Sequence, residues 1–227
     1  GIDDGEISLR DAINAIANGG TITFAPGLAG TIILDAALGE LVVDKSLTID
    51  GPGAGVVAVS GDNQVRVFNI DDGDRSTLQS VSISDLKITG GLGEEGGVGF
   101  GGGGILNREE LILNNSTLSG NSSPWFGGGI ENYRGKSKIV NSIISGNSAG
   151  DGGGIFNWYA ETKVVNSNIS DNLASNRNGG GIDSYRSTVD ITESTVSGNS
   201  AGEGGAIYAF YSRTTIKNSL ITGNTAV

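Results

Sequence analysis

Gly152-Gly153-Gly154-Ile155, followed by Asn166-Ser167-Asn168-Ile169-Ser170-Asp171-Asn172, decides the fold, because both blocks recur. The first reappears as Gly102-Gly103-Gly104-Ile105, Gly127-Gly128-Gly129-Ile130, Gly179-Gly180-Gly181-Ile182 and Gly204-Gly205-Ala206-Ile207. Its Ile steps by 25, 25, 27 and 25 residues. The second block returns at Asn115–Asn121, Asn141–Asn147, Glu193–Asn199 and Asn218–Asn224, and its Ser (116, 142, 167, 194, 219) steps by 26, 25, 27 and 25. Two anchors drifting together define one structural unit.

Between the anchors lie short runs such as Lys138-Ile139-Val140, Lys163-Val164-Val165 and Val189-Asp190-Ile191. They alternate apolar and polar residues and are too short for helices. Three short strands and three turns per roughly 25 residues describe one coil of a solenoid. The expected fold is therefore all-β: a right-handed parallel β-helix whose coils stack at about 4.8 Å. Three inward columns follow: Leu113, Ile139, Val164, Ile191, Ile216; Leu118, Ile144, Ile169, Val196, Ile221; and Ile105, Ile130, Ile155, Ile182, Ile207. No single repeat can bury such a core alone. Asn121, Asn147, Asn172, Asn199 and Asn224 form a fourth column, in which stacked amides can bond along the axis.

The chain reads as one continuous domain in three parts. Residues 1–20 carry a capping α-helix: Ser8 is its N-cap with Asp11 three positions on, Ala12, Ile13, Ile16 and Ala17 form its apolar face, and Gly19-Gly20 ends it. The helix is expected across the N-terminal end of the core. Residues 21–99 form irregular coils, with strands expected at 21–24, 31–34, 41–43, 47–49, 56–59 and 65–70. Residues 100–227 form the regular repeats. Asn224-Thr225-Ala226-Val227 follows a repeat anchor with no capping device, so the solenoid is expected to continue beyond 227 or to be covered there.

Composition narrows the function. The chain has 25 acidic and 14 basic residues and a formal net charge of −11, which disfavours nucleic acid and anionic membrane surfaces. Cys, His and Met are absent, which excludes disulfides, thiol nucleophiles and a Ser-His-Asp triad. No run of 18 apolar residues is present, so direct membrane insertion is not expected.

The Gly-Gly-Gly-Ile and Asn-Ser-x-Ile-Ser-Gly-Asn-Ser-Ala alternation resembles the repeats of polymorphic outer-membrane proteins and related bacterial adhesin-like β-helix proteins. Asp4-Gly5-Glu6-Ile7-Ser8-Leu9-Arg10-Asp11-Ala12-Ile13 resembles the N-terminal Cys-Ser-Leu-Arg-Glu-Ala-Ile segment of such secreted proteins, with Ile7 in place of the Cys. The resemblance spans essentially the whole chain. It implies the β-helix fold and a secreted or cell-surface setting, and it implies no defined chemistry.

Candidate functional residues follow the Ile anchor. Three positions on stand Arg108, Tyr133, Trp158, Tyr185 and Phe210; four on stand Glu109, Arg134, Tyr159, Arg186 and Tyr211. Aromatic residues make up only 6% of the chain, yet they concentrate at this corner. One reading is a stacked corner that stabilises the solenoid. The other is a binding strip of Tyr133, Trp158, Tyr159, Tyr185, Arg186, Phe210 and Tyr211 for a polysaccharide or surface protein. One position after the Ile, and expected to point outward, stand Leu106, Glu131, Phe156, Asp183 and Tyr208. Glu131 and Asp183, two coils and roughly 9–10 Å apart, are the only candidate catalytic acids, and two solvated carboxylates is the plainer reading. Asp71, Asp72 and Asp74, and separately Asp3-Asp4-Gly5-Glu6, are candidate calcium ligands without a known calcium-loop spacing; no other cofactor is expected. The leading function is a non-catalytic adhesin- or passenger-like surface module. The alternatives are a polysaccharide lyase or hydrolase of the parallel β-helix type, and a structural subunit that self-associates through its C-terminal coil.

Overall fold

The computed structural model describes residues 7–175 and 178–227. The second calcium candidate, Asp3-Asp4-Gly5-Glu6, lies outside them. The chain winds into a parallel β-solenoid of about eight coils. One sheet stacks Gly20–Thr23, Leu47–Asp50, Ser80–Ser84, Glu110–Asn114, Lys136–Val140, Glu161–Val165, Thr188–Thr192 and Arg213–Lys217. A second stacks Gly30–Ile33, Val57–Ser60, Lys87–Thr89, Thr117–Ser119, Ile143–Ser145, Asn168–Ser170, Thr195–Ser197 and Leu220–Thr222. The third, which carries the site, stacks Leu41–Val43, Phe68–Ile70, Ile105–Asn107, Ile130–Tyr133, Ile155–Trp158, Ile182–Tyr185 and Ile207–Phe210. Residues 21–99 and 100–227 share these sheets without a break in pairing.

The three apolar columns stand in register as expected. Ile83, Ile88 and Phe68 extend them toward the N-terminus. The interior positions are fully buried up to Ile191 and Val196. In the last coil Ile216, Leu220 and Ile221 are exposed. No helix among the described residues is long and apolar enough to cross a membrane.

Three of the sequence expectations need correction. The regular coils carry a fourth short strand: Ser148–Ala149, Leu173–Ala174, Ser200–Ala201 and Thr225–Ala226 form their own sheet. These two-residue strands directly follow the Asn column, which holds the backbone of adjacent coils in line (for example Ser148 N–H to Asn121 O, 3.0 Å). The helix spans Leu9–Ala15, not up to Gly19; Ile16 caps it in an extended conformation. Its capping box is present, with Ser8 and Asp11 bonded reciprocally, and Leu9 and Ile13 are buried against the core beside Leu41. Residues 65–67 are not strand, because Val65 and Gln64 close a turn onto Gly61 O.

Polar columns stitch the coils together. Asn147 accepts from Asn121 N and Nδ2 at 3.0 Å each, and Asn172 accepts from Asn147 N and Nδ2 at the same distances. The Ser column repeats the pattern, with Ser142 N–H donating to Ser167 Oγ at 3.1 Å. A further interior column was not foreseen: Asn107, Asn132, Asn157 and Ser184, two positions after the Ile, are fully buried. Asn132 Nδ2 donates to Asn157 Oδ1 at 2.9 Å and to the hydroxyls of Ser137 and Thr162 on the facing sheet. The buried amides are satisfied, as a low-dielectric interior requires.

Candidate functional site

Strand alternation on the third sheet sends Ile155 and Asn157 inward and Phe156 and Trp158 outward. The next two coils follow: Asp183 and Tyr185, then Tyr208 and Phe210, stand in register beneath them. The chain enters each of these strands through a corner glycine. Gly152 has φ +64°, and a Cβ there would lie 2.7 Å from Ile155 O; Gly153 packs so closely that a Cβ would lie 2.5 Å from Leu173 C. This sharp corner brings the preceding residues, Phe126, Asp151 and Asn178, over the outward side chains. Phe126 bridges to Asp151, and Asn178 to Glu203, one coil apart each. Between the two walls lies a groove of about 230 Å³, lined by Phe126, Asp151, Phe156, Trp158, Asn178, Asp183, Tyr185, Tyr208 and Phe210.

The rings at the corner stack along the solenoid axis. Trp158 and Tyr185 lie 4.2 Å apart and within 10° of parallel; Tyr185 and Phe210 lie 5.7 Å apart at 21°. Beside them Arg134, Tyr159, Arg186 and Tyr211 all adopt positive φ. Cation and ring alternate there: Arg186 lies 5.6 Å from the rings of both Tyr159 and Tyr211, and its Nη1 donates to the Tyr159 hydroxyl at 3.0 Å. Tyr133 is surrounded by Arg75, Arg108 and Arg134. The structure therefore brings all the predicted strip residues to one corner. It also sets the ring faces of Trp158, Tyr185 and Phe210 against one another, so the stack holds the corner and turns its edges outward.

The acids are arranged differently from the sequence expectation. Neither Glu131 nor Asp183 is a solvated group on an exposed face. Glu131 is fully buried beneath the loop that follows Leu92, and its two carboxylate oxygens accept from Gly99 N (2.5 Å) and Gly101 N (2.7 Å). Burial pushes its pKa up to about 7, against those two N–H donors and the charges of Arg66 and Arg108. Arg66 and Arg108 hold the same loop from the other side, donating to Gly101 O, Phe100 O and Gly99 O. Phe156 stands in register between Glu131 and Asp183, so the two do not share a site.

Asp183 is only 4% exposed and lies in the groove. Its pKa is pushed up to about 7, first by burial, then by the charge of Asp151 across the groove, and the Ser184 N–H opposes this. Asp151 is engaged by Asn178 N at 2.9 Å. The partner of Asp183 is thus Asp151, which sequence reading missed. The signal was present: Asp151 directly precedes the corner Gly152, as Phe126 and Asn178 precede theirs.

The calcium candidates are also rearranged. Asp71 and Asp72 bring carboxylate oxygens within 4.8 Å of Glu109, not of Asp74. Asp74 instead closes its own turn on Ser76. Within the cluster Asp71 pairs with Arg108 at 2.7 Å, Glu109 accepts from Gln79 N, and Asp72 accepts from Gln79 Nε2. Of these donors only Arg108 carries charge, so Asp71 alone is neutralised, while Asp72 and Glu109 are held by the uncharged groups of Gln79.

The fold and site together define a parallel β-solenoid with a lateral, aromatic and acidic groove. No protein-family model, curated protein or solved structure matches the chain.

Proposed function

We propose that this protein is a rigid, non-catalytic recognition module, acting outside the cell or on its surface, whose lateral groove takes a sugar unit of a polysaccharide. The groove carries this reading: a preformed cleft of about 230 Å³ with aromatic walls and a few convergent polar groups, Asp151, Asn178 and Asp183. Its lining is the usual make-up of a small-ligand site, in a cleft smaller than most. The stacked corner supports it by fixing the rings before a ligand arrives, which lowers the ordering cost of binding. The resemblance of the repeats to adhesin-like β-helix proteins supports the extracellular setting. Titration calorimetry against neutral, acidic and amino-bearing oligosaccharides tests the reading. Binding that Trp158→Ala or Tyr208→Ala weakens at least tenfold is expected; no binding across the three classes refutes it.

A second reading is favoured by one observation. Asp183, held near neutrality beside Asp151, has the protonation behaviour of a general acid next to a second carboxylate. On this reading the protein is a polysaccharide hydrolase. New chain ends appearing with time, and lost in Asp183→Asn, would establish it in place of the first.

A further inference from the structure

The groove has a notch at one level of the third sheet. Along the outward column the residues are Leu106, Glu131, Phe156, Asp183 and Tyr208, and Asp183 is the short member between two rings. The rings face the notch. Trp158 and Tyr185 stack across coils, so their planes lie across the solenoid axis, and Phe156 lies within 18° of Trp158. The Phe156 face therefore looks along the axis, toward the level of Asp183. Tyr208 bounds the same level from the next coil, and Asp151 faces it across the groove.

Nothing among the described residues neutralises this notch. Among the described residues the Ser184 N–H is the only donor acting on the Asp183 carboxylate there. No described Lys or Arg forms an ion pair with Asp183 or Asp151. Asp183 is only 4% exposed, lines the open cleft and has no side-chain partner among the described residues; ionising it there is costly, and a cation from outside offsets that cost. The faces of aromatic rings carry negative quadrupole charge, which adds attraction for the same ion. The formal net charge of −11 steers cations toward the protein at long range.

We infer that the notch between Phe156 and Tyr208 binds an ammonium group, held by Asp183 and Asp151, so that the sugar unit recognised by the groove is an amino sugar with its amine free. This deepens the glycan reading and rests on it. A neutral sugar would leave both carboxylates unpaired, and an N-acetylated one would place an uncharged amide in the notch.

The test compares four probes by titration calorimetry: a glucosamine oligomer, the N-acetylated oligomer and a neutral glucose oligomer of equal length, and tetramethylammonium chloride. The expected result is binding of the glucosamine oligomer at least tenfold tighter than either other oligomer, with competition by tetramethylammonium. Asp183→Asn should abolish the preference. Asp171→Asn, which removes the same charge at an exposed turn, should keep it. Asp151→Asn provides a second variant should Asp183→Asn fail to fold, and it should cut the preference as well. Equal binding of the three oligomers, or equal loss in Asp171→Asn and Asp183→Asn, overturns the inference and leaves the glycan reading standing. Binding of tetramethylammonium without any oligomer leaves the notch standing and removes the glycan reading. Binding of none of the four overturns both.

Discussion

Replacing Asp183 by Asn should stabilise the protein, and the gain should grow with pH. Folding raises the Asp183 pKa from its ordinary 3.8 to about 7, mainly by burial and secondarily by the Asp151 charge. The folded state therefore holds a proton that the unfolded chain has already lost. The stability tied to this group is complete below pH 3.8, declines as pH rises, and is lost above about 7. At about 1.4 kcal/mol per pH unit, the full loss approaches about 4 kcal/mol. Asn has a similar shape and never ionises, so it escapes that loss. Because the carboxylate borders an open groove, water and relaxation reduce the effect, and about 2–4 kcal/mol at pH 8 is expected. At pH 4 the difference should be near zero. Urea unfolding of both proteins at pH 4, 6 and 8, followed by far-UV circular dichroism, measures it; a coil-based protein can unfold in stages, so midpoints of each phase should be compared. A pH-independent difference between the two proteins refutes the reasoning. So does a carboxyl carbon resonance of Asp183 that titrates below pH 5.

Further expectations follow from the same geometry. Asn172→Ala strands Asn147 N–H and one hydrogen of its amide, and removes the donor to Ile144 O; at about 1–3 kcal/mol per orphaned buried group, it should cost about 3 kcal/mol or more. Asn224→Ala, at the half-buried end of the same column, likewise strands Asn199 N–H and one hydrogen of its amide, but water reaches this last coil, so its cost should be smaller than that of Asn172→Ala in the same denaturation series. Glu131→Gln has an oxygen for only one of Gly99 N and Gly101 N, so hydrogen exchange at those two amides should accelerate while the remaining coils keep their protection; unchanged exchange there contradicts the anchoring role. Cation binding requires the ionised carboxylate, so the affinity for tetramethylammonium, whose charge does not titrate, should fall as pH drops through about 7. Among the described residues, Asp151, Tyr185 and Tyr208 are the other titratable groups facing that notch. An affinity constant between pH 5.5 and 8.5 would rule out Asp183 as the ammonium partner. Arg186→Ala should loosen Tyr159 and Tyr211, and the groove residue Tyr185 on which it also rests, visible as a small loss of stability, on the order of 1 kcal/mol.

Much of the architecture was legible in the chain, because stacking forces each coil to repeat the residue that the coil before it needs. Ile105, Ile130, Ile155 and Ile182 occupy one level of contact after another, and any polar residue there would face an apolar core. The helix cap was readable because Ser8 and Asp11 satisfy each other locally. The Asn121–Asn224 column could be read as a ladder because the recurrence of one amide per coil leaves each one opposite the next. The interior Asn107, Asn132 and Asn157 escaped notice although they recur just as regularly and alternation puts them on the same face as the Ile, because the groups that satisfy a buried amide, Ser137 and Thr162, come from another sheet and are not adjacent in the chain.

The site was legible only in part. The aromatic corner was visible as a column, since registered strands put residues of equal phase side by side. Strand phase also told which side chains leave the core, but leaving the core is not reaching solvent. Glu131 leaves the core and is covered by a loop whose glycine N–H groups lie about thirty residues earlier in the chain. Asp183 leaves the core and is flanked by Phe156 and Tyr208, which come from two other coils. Its pairing with Asp151 depends on how sharply Gly179 and Gly152 turn the chain, a matter of φ and of close backbone approach. Periodicity thus specifies what each coil has in common with its neighbours. Which acid is covered, which faces another acid and which is left open to a ligand arise where the coils differ, and only contacts between distant parts of the chain decide those.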